Sequence, residues 1–268
     1  MKVAAVAALV AVAGCSGGSG SSGERPIAAL APAPASVYVG QVVTLSAADS
    51  FDPDYPDPAF PHGIAEFEWT LTRPDGSLAA MVYGTGGSAA FDTDVPGDYV
   101  AELVVVDLDG LSSTPASVNV SVLAVPGSGV GSAFFVTWDG ATDLDLHFVN
   151  VTDGGDFGDP IYDCHPGNAT PDWGVAGSGN DPAHAGDTPN IERVDFPAPL
   201  NFEFRIYVHH VSGDPASPAV YAASSGLVRH HADFDGLTNG LVWSAGTVTY
   251  PAGSEPMLVP EATTFPAP

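Results

Sequence analysis

Positive charge is nearly missing from this chain. Six Lys and Arg stand against 32 Asp and Glu in 268 residues, a formal net charge of −26. With no basic stripe to displace counterions from phosphates, nucleic-acid binding is excluded. Docking on an anionic lipid surface through side-chain charge is excluded for the same reason. Cysteine is scarce as well: Cys15 and Cys164 are the two present, too few for a disulfide framework. No segment keeps a helical period, and no apolar run reaches the roughly 20 residues of a permanent transmembrane helix. His-Glu-x-x-His, Gly-x-Ser-x-Gly and a phosphate-cradling glycine loop ending in Lys are all absent.

Turn-forming residues are plentiful instead. The 31 Gly and 25 Pro favour many short strands over long helices. The 45% hydrophobic content is enough to build cores, so this is no disordered acidic tail. An all-β fold follows, with length for two tandem β-sandwich domains.

The N-terminus reads as an address. Met1-Lys2 is a minimal positive region, and Val3 to Ala13 is an apolar run too short to span a bilayer. Val12-Ala13-Gly14-Cys15 resembles the lipobox of bacterial lipoproteins, which implies cleavage after residue 14 and a diacylglyceryl group on the Cys15 thiol. Multiple acyl chains make a stable membrane anchor. Residues 15–25 then form a lipidated Cys and a flexible Ser/Gly tether. The expected location is the bacterial cell envelope, outside the cytoplasm.

Residues 26–124 form the first expected domain. Val43, Leu45 and Ala47 share one face of a strand, as do Phe67, Trp69 and Leu71, and again Tyr99, Ala101, Leu103 and Val105. Pro74-Asp75-Gly76, Pro96-Gly97-Asp98 and Asp107-Leu108-Asp109-Gly110 supply turns between them. This spacing predicts an immunoglobulin-like sandwich, with Trp69 in the core and Tyr99 as a corner tyrosine. Val39-Gly40-Gln41, Ser46-Ala47-Ala48-Asp49-Ser50, Glu68-Trp69, Pro96-Gly97-Asp98-Tyr99 and Val105 to Gly110 together resemble a PKD (polycystic kidney disease) domain. That resemblance implies an extracellular spacer or adhesion module, and some bacterial members hold a structural calcium. Asp52, Asp54, Asp107 and Asp109 are the candidate ligands, although the loop after Ser50 is longer than the family's and stiffened by Pro56, Pro58 and Pro61. Asp also makes turns without any metal.

A Gly/Ser linker at 125–132 leads to a second expected sandwich or jelly-roll at 133–250. Strands are expected at Ala133 to Trp138, Thr142 to Val149, Asn201 to His209 and Thr247 to Tyr250. In Asp143-Leu144-Asp145-Leu146-His147 the period of two sends both Leu one way and Asp143, Asp145 and His147 the other. The following stretch, Thr152 to Pro197, reads as a long acidic loop that includes Asp163, Asp172 and Asp187. So many carboxylates near an Asp-bearing strand suggest Ca2+, a hard ion that seeks oxygen. A solvated polar face is the plain alternative. Zinc is a further one, since Cys164-His165, His147 and His184 lie nearby, though at no zinc-motif spacing. Trp138-Asp139, the Asp-Leu-Asp-Leu-His run, Tyr162-Asp163-Cys164, Asn168, Pro171 to Gly174 and Tyr207-Val208-His209 resemble a poorly characterised domain of bacterial secreted proteins. The His209-His210 and His230-His231 pairs are expected as satisfied surface residues. The tail at 251–268 is rich in proline, and is expected to be extended, either docking or frayed.

The expected function is adhesion, or recognition of an extracellular protein or polysaccharide, by calcium-stabilised modules anchored through Cys15. A structural spacer is the alternative, with a metal-dependent hydrolase built on Asp143, Asp145 and His147 behind it. Mass spectrometry of the mature N-terminus should find an acylated Cys15; an unmodified thiol there would refute the anchor.

Overall fold

The structure is a computed structural model. It describes residues 2–4, 23–55, 61–127, 131–171, 173, 183–188, 190–196, 203–251 and 255–268, with backbone alone for 2–4 and 183–188. Cys15, most of the Ser/Gly tether and Asp172 lie outside the described residues. The chain is all-β and falls into two units, Met1–Ala124 and Val125–Pro268. Among the described residues no helix is long and apolar enough to cross a membrane.

In the first unit β1 (Lys2–Ala4), β4 (Ile64–Thr72), β7 (Gly97–Asp107), β8 (Ala116–Leu123) and β2 (Ser36–Tyr38) make one sheet in the order β1-β4-β7-β8-β2. The second sheet runs β3-β6-β5, from Val42–Ser46, Ser88–Asp92 and Met81–Tyr83. The expected alternation holds: Val43, Leu45, Trp69, Leu71, Tyr99, Ala101, Leu103 and Val105 are all buried. Phe67, expected beside Trp69, is half-buried. The Tyr99 and Phe91 rings stack at 5.5 Å, joining strands from both sheets.

Burial takes Tyr99 wholly out of water, so its hydroxyl must find partners. It donates to Asp94 Oδ1 at 2.8 Å and lies 3.2 Å from Ser77 Oγ. Burial alone would raise the Asp94 pKa, but hydrogen bonds from Ser77, Tyr99 and the Leu78 amide outweigh it and hold the carboxyl below its ordinary 3.8.

In the second unit one sheet has the order β11-β10-β14-β17-β18, from Asp163–Cys164, Asp143–Asn150, Phe204–Ser212, Leu241–Thr249 and Met257–Pro266. The other runs β12-β13-β9-β15-β16, from Ala183–Thr188, Ile191–Phe196, Ser132–Thr137, Ala219–Ser224 and Leu227–Asp233. Phe134, Leu144, Leu146, Phe148, Ile206, Val208, Val220 and Trp243 fill one core drawn from both sheets.

One segment differs from the sequence reading. The acidic stretch from 152 to 197 is not structureless, because it contributes β11, β12 and β13. The tail takes the docked, not the frayed, of its two expected forms. Its β18 is the outer strand beside β17, a place where Pro260 and Pro266 are tolerated because the strand's far side needs no ladder donor. Glu261 fastens it: the Glu261 carbonyl accepts Trp243 Nε1–H at 3.1 Å, and its carboxylate accepts Ser244 Oγ–H at 2.7 Å. At the same bulge a Cβ on Gly246 (φ 150°) would collide with the Val259 carbonyl.

Tyr99→Phe should destabilise the chain by about 1 kcal/mol in denaturant unfolding at pH 7, since buried Ser77 and half-buried Asp94 lose their hydroxyl partner. Asp94 has a lowered folded pKa, so its contribution is full above the unfolded carboxylate value and fades as pH falls through the folded one. The gap between parent and Tyr99→Phe should therefore narrow as pH falls below the ordinary carboxylate value of 3.8.

Candidate functional site

Strand β10 is apolar on its inner face, where Leu144, Leu146 and Phe148 are completely buried. On the outer face it begins exposed at Asp143, is half-buried at Asp145 and buried at His147 and Val149. The cover comes from residues 151–163, which fold back over the sheet. Their acids are spent largely on the segment's own N–H groups. Asp159 Oδ1 accepts the Ile161 and Tyr162 amides at 2.8 and 2.9 Å, and Asp153 Oδ2 accepts Asn150 Nδ2–H at 2.9 Å. Asp156 Oδ1 accepts the Phe157 amide at 2.8 Å. These bonds give carboxylates of the stretch partners within the chain itself.

Asp163 closes the cover. On β11 side chains alternate, so Cys164 enters the inner core while Asp163 turns to the outer face. The Asp163 carboxylate is completely buried; its Oδ2 accepts His147 Nδ1–H at 2.6 Å and the Gly158 amide at 2.8 Å. This bond fixes the His147 tautomer, leaving an Nε2 that is buried and has no hydrogen-bond partner among the described residues. The His165 ring stacks on His147 at 4.7 Å, and Phe157 packs against it at 4.3 Å.

Antiparallel pairing sets His209 of β14 directly across from Asp145 of β10. Ligand atoms of Asp145, His147 and His209 lie within 4.8 Å of one another, a group of three that could hold a metal ion. His209 is therefore no surface residue but half-buried, and His210 is completely buried, with Nε2 2.8 Å from the Asp214 carbonyl. Burial lowers the His209 pKa, the neighbouring imidazoles of His147 and His210 add to it, and Asp143 opposes. The alternation of β14 could have put His209 on the outer face from sequence; the register against β10 could not be read there.

The other expected ligands have different places. Asp143 is exposed at the start of β10, and Asp163 acts on His147 rather than joining the group. Asp187 lies on β12, where only backbone is described, as does His184. Cys164 faces the opposite side of the sheet from His147. In the first unit Asp52 and Asp107 are buried; Asp52 Oδ1 accepts the Asp54 amide at 3.0 Å and Asp107 Oδ1 the Leu111 amide at 2.8 Å. Asp54 and Asp109 are exposed, and Asp54 accepts the Glu24 amide.

Beside the histidines the same sheet face holds a cleft of about 500 Å³, lined by Asp156, Phe157, Arg205, Tyr207, Ser244, Glu261, Thr263, Phe265, Pro266 and Pro268. Phe157, Tyr207 and Phe265 meet edge to face at 5.7 to 5.9 Å. The Arg205 guanidinium lies 3.8 Å from Glu261, and its Nε is buried without a hydrogen-bond partner among the described residues. Burial raises the Tyr207 pKa, partly offset by a hydrogen bond with Arg205. Sequence reading missed this cleft because four of its ten lining residues come from β18.

No protein-family model matches the sequence, and no curated protein matches it. Two solved structures show a partial likeness. One is the endo-fucoidan hydrolase MfFcnA9 from glycoside hydrolase family 107, with 14% identity and a TM-score of 0.27 over 79% of this chain and 34% of that one. The other is a variant of the endo-fucoidan hydrolase MfFcnA4 from the same family, with 16% identity and a TM-score of 0.27 over 83% of this chain and 32% of that one. The chain thus spans about a third of their length. Likeness at this level assigns neither fold nor activity.

Asp163→Ala strips His147 of its partner and should cost about 1–3 kcal/mol in denaturant unfolding. Asp163→Asn keeps an oxygen for Nδ1–H and should lose markedly less.

Proposed function

We propose that the chain is a lipid-anchored protein of the bacterial envelope whose second sandwich binds a neutral, hydroxyl-rich polysaccharide. In this reading the first, PKD-like sandwich is a spacer. The cleft beside β18 is the observation that carries the binding half. Sugars present apolar C–H faces and rings of hydroxyls, and a cleft with aromatic walls and a few convergent polar groups answers both needs. Arg205 offers planar N–H donors, Asp156 and Glu261 offer acceptors, and Ser244 and Thr263 offer hydroxyls. One guanidinium against two carboxylates leaves the lining negative, and the chain's −26 extends that field. Polyanionic glycans are therefore disfavoured. The lipobox-like Val12 to Cys15 supports the anchor.

Glycan-array profiling of the full chain tests this reading. Neutral polysaccharides should bind and sulfated or uronic ones should not. Arg205→Gln should weaken the strongest hit at least tenfold, about 1.4 kcal/mol. Absence of any neutral hit, or a hit indifferent to Arg205, would overturn it.

A further inference from the structure

The histidine group next to the cleft supports a separate assignment. We propose that Asp145, His147 and His209 form a binding site for a single divalent transition-metal ion of the zinc class. Two imidazoles and one carboxylate suit such an ion, whereas calcium takes six to eight oxygens and rarely nitrogen. Three protein donors complete all but one place of a tetrahedral shell, leaving the fourth to water or to a donor on a ligand.

Proximity of acids and histidines would not suffice. The independent observation is the state of His147, which is 4% exposed and has an Nε2 with no hydrogen-bond partner among the described residues. A buried ring nitrogen is normally satisfied, so this lone pair marks a missing partner. Its direction is set from behind: Nδ1–H is held at 2.6 Å by Asp163, which is itself completely buried and braced by the Gly158 amide. A carboxylate behind a histidine in this way orients a metal ligand and raises its basicity. Phe157 and His165 pack on the ring and keep it from turning away. His147 is thus the rigid donor, beside half-buried Asp145 and His209. The three donor atoms lie within 4.8 Å, and tetrahedral bonds of 2.0–2.1 Å place donors about 3.4 Å apart. A shift of roughly 1 Å closes the site.

The site is distinct from the saccharide reading of the cleft and is tested without any glycan. Full-length protein stripped with chelator and dialysed is titrated with Zn2+ by calorimetry, with Co2+ by visible absorbance, and with Ca2+ as comparison. One equivalent of Zn2+ should bind, Co2+ should give the intense visible bands of a four-coordinate ion, and Ca2+ at the same concentration should displace neither. His209→Ala and Asp145→Ala should each lower zinc affinity at least 100-fold and abolish the Co2+ bands. Asp163→Asn should lower it about 10- to 100-fold. Each variant is accepted only with a parent-like unfolding midpoint, and the Co2+ spectrum of the parent decides the matter if none qualifies. No binding at 100 µM Zn2+, binding indifferent to His209, or Ca2+ competing on equal terms would each overturn the proposal. Polysaccharide binding lost at Arg205 with zinc binding retained, or the reverse, separates the failure of one assignment from that of the other.

Discussion

A buried bond from His147 to Asp163, beside the β10–β11 pairing, pins the cover of the second unit's outer sheet face. At 2.6 Å it joins a sheet residue to the end of the segment that covers that sheet. The segment in turn seats Phe157, which touches His147, His209, Tyr207 and Phe265. Removing the bond would therefore loosen both the histidine group and one wall of the cleft. Burial on both faces also explains the composition of β10, where hydrophobic residues fill the inner side and an imidazole with a hydrogen-bonded partner fills the outer one. A buried polar group of this kind is retained only where it is satisfied or used.

The excess of negative charge is handled locally. Asp52, Asp107, Asp153, Asp156 and Asp159 accept N–H groups from their own or adjoining turns. Asp and Asn bind neighbouring backbone in this way without needing a counter-ion. The carboxylates nearest the histidines act differently: Asp163 orients, Asp145 joins the metal-competent group, and Asp143 remains in solvent.

Much of this arrangement was legible from residue order. Alternation located the strands around Leu45, Trp69 and Leu103, and it split Leu144 and Leu146 from Asp145 and His147. Tyr99 and Trp69 could be placed in the core because their neighbours follow a period of two. Register was not legible. The pairing of Asp145 with His209 depends on how β10 slides along β14, which no local pattern states. Prolines concealed β18, because at an outer strand they cost little whereas in a central one they would break the ladder. Short strands inside an acidic stretch were missed for a related reason: β13 gains its ladder from β9, and β12 from β13, not from their own composition.

The placement of the arginines has a consequence for survival outside a cell. Enzymes of trypsin type cut after Lys or Arg in extended, accessible backbone. Lys2 is the one lysine, within the leader-like segment, and Arg25 and Arg73 are each followed by proline, which blocks such cleavage. Arg193, Arg205 and Arg229 lie inside β13, β14 and β16, and each is ion-paired, to Asp195, Glu261 and Glu255. While these strands stay folded, digestive proteases of that specificity have no foothold on the described residues beyond Glu24.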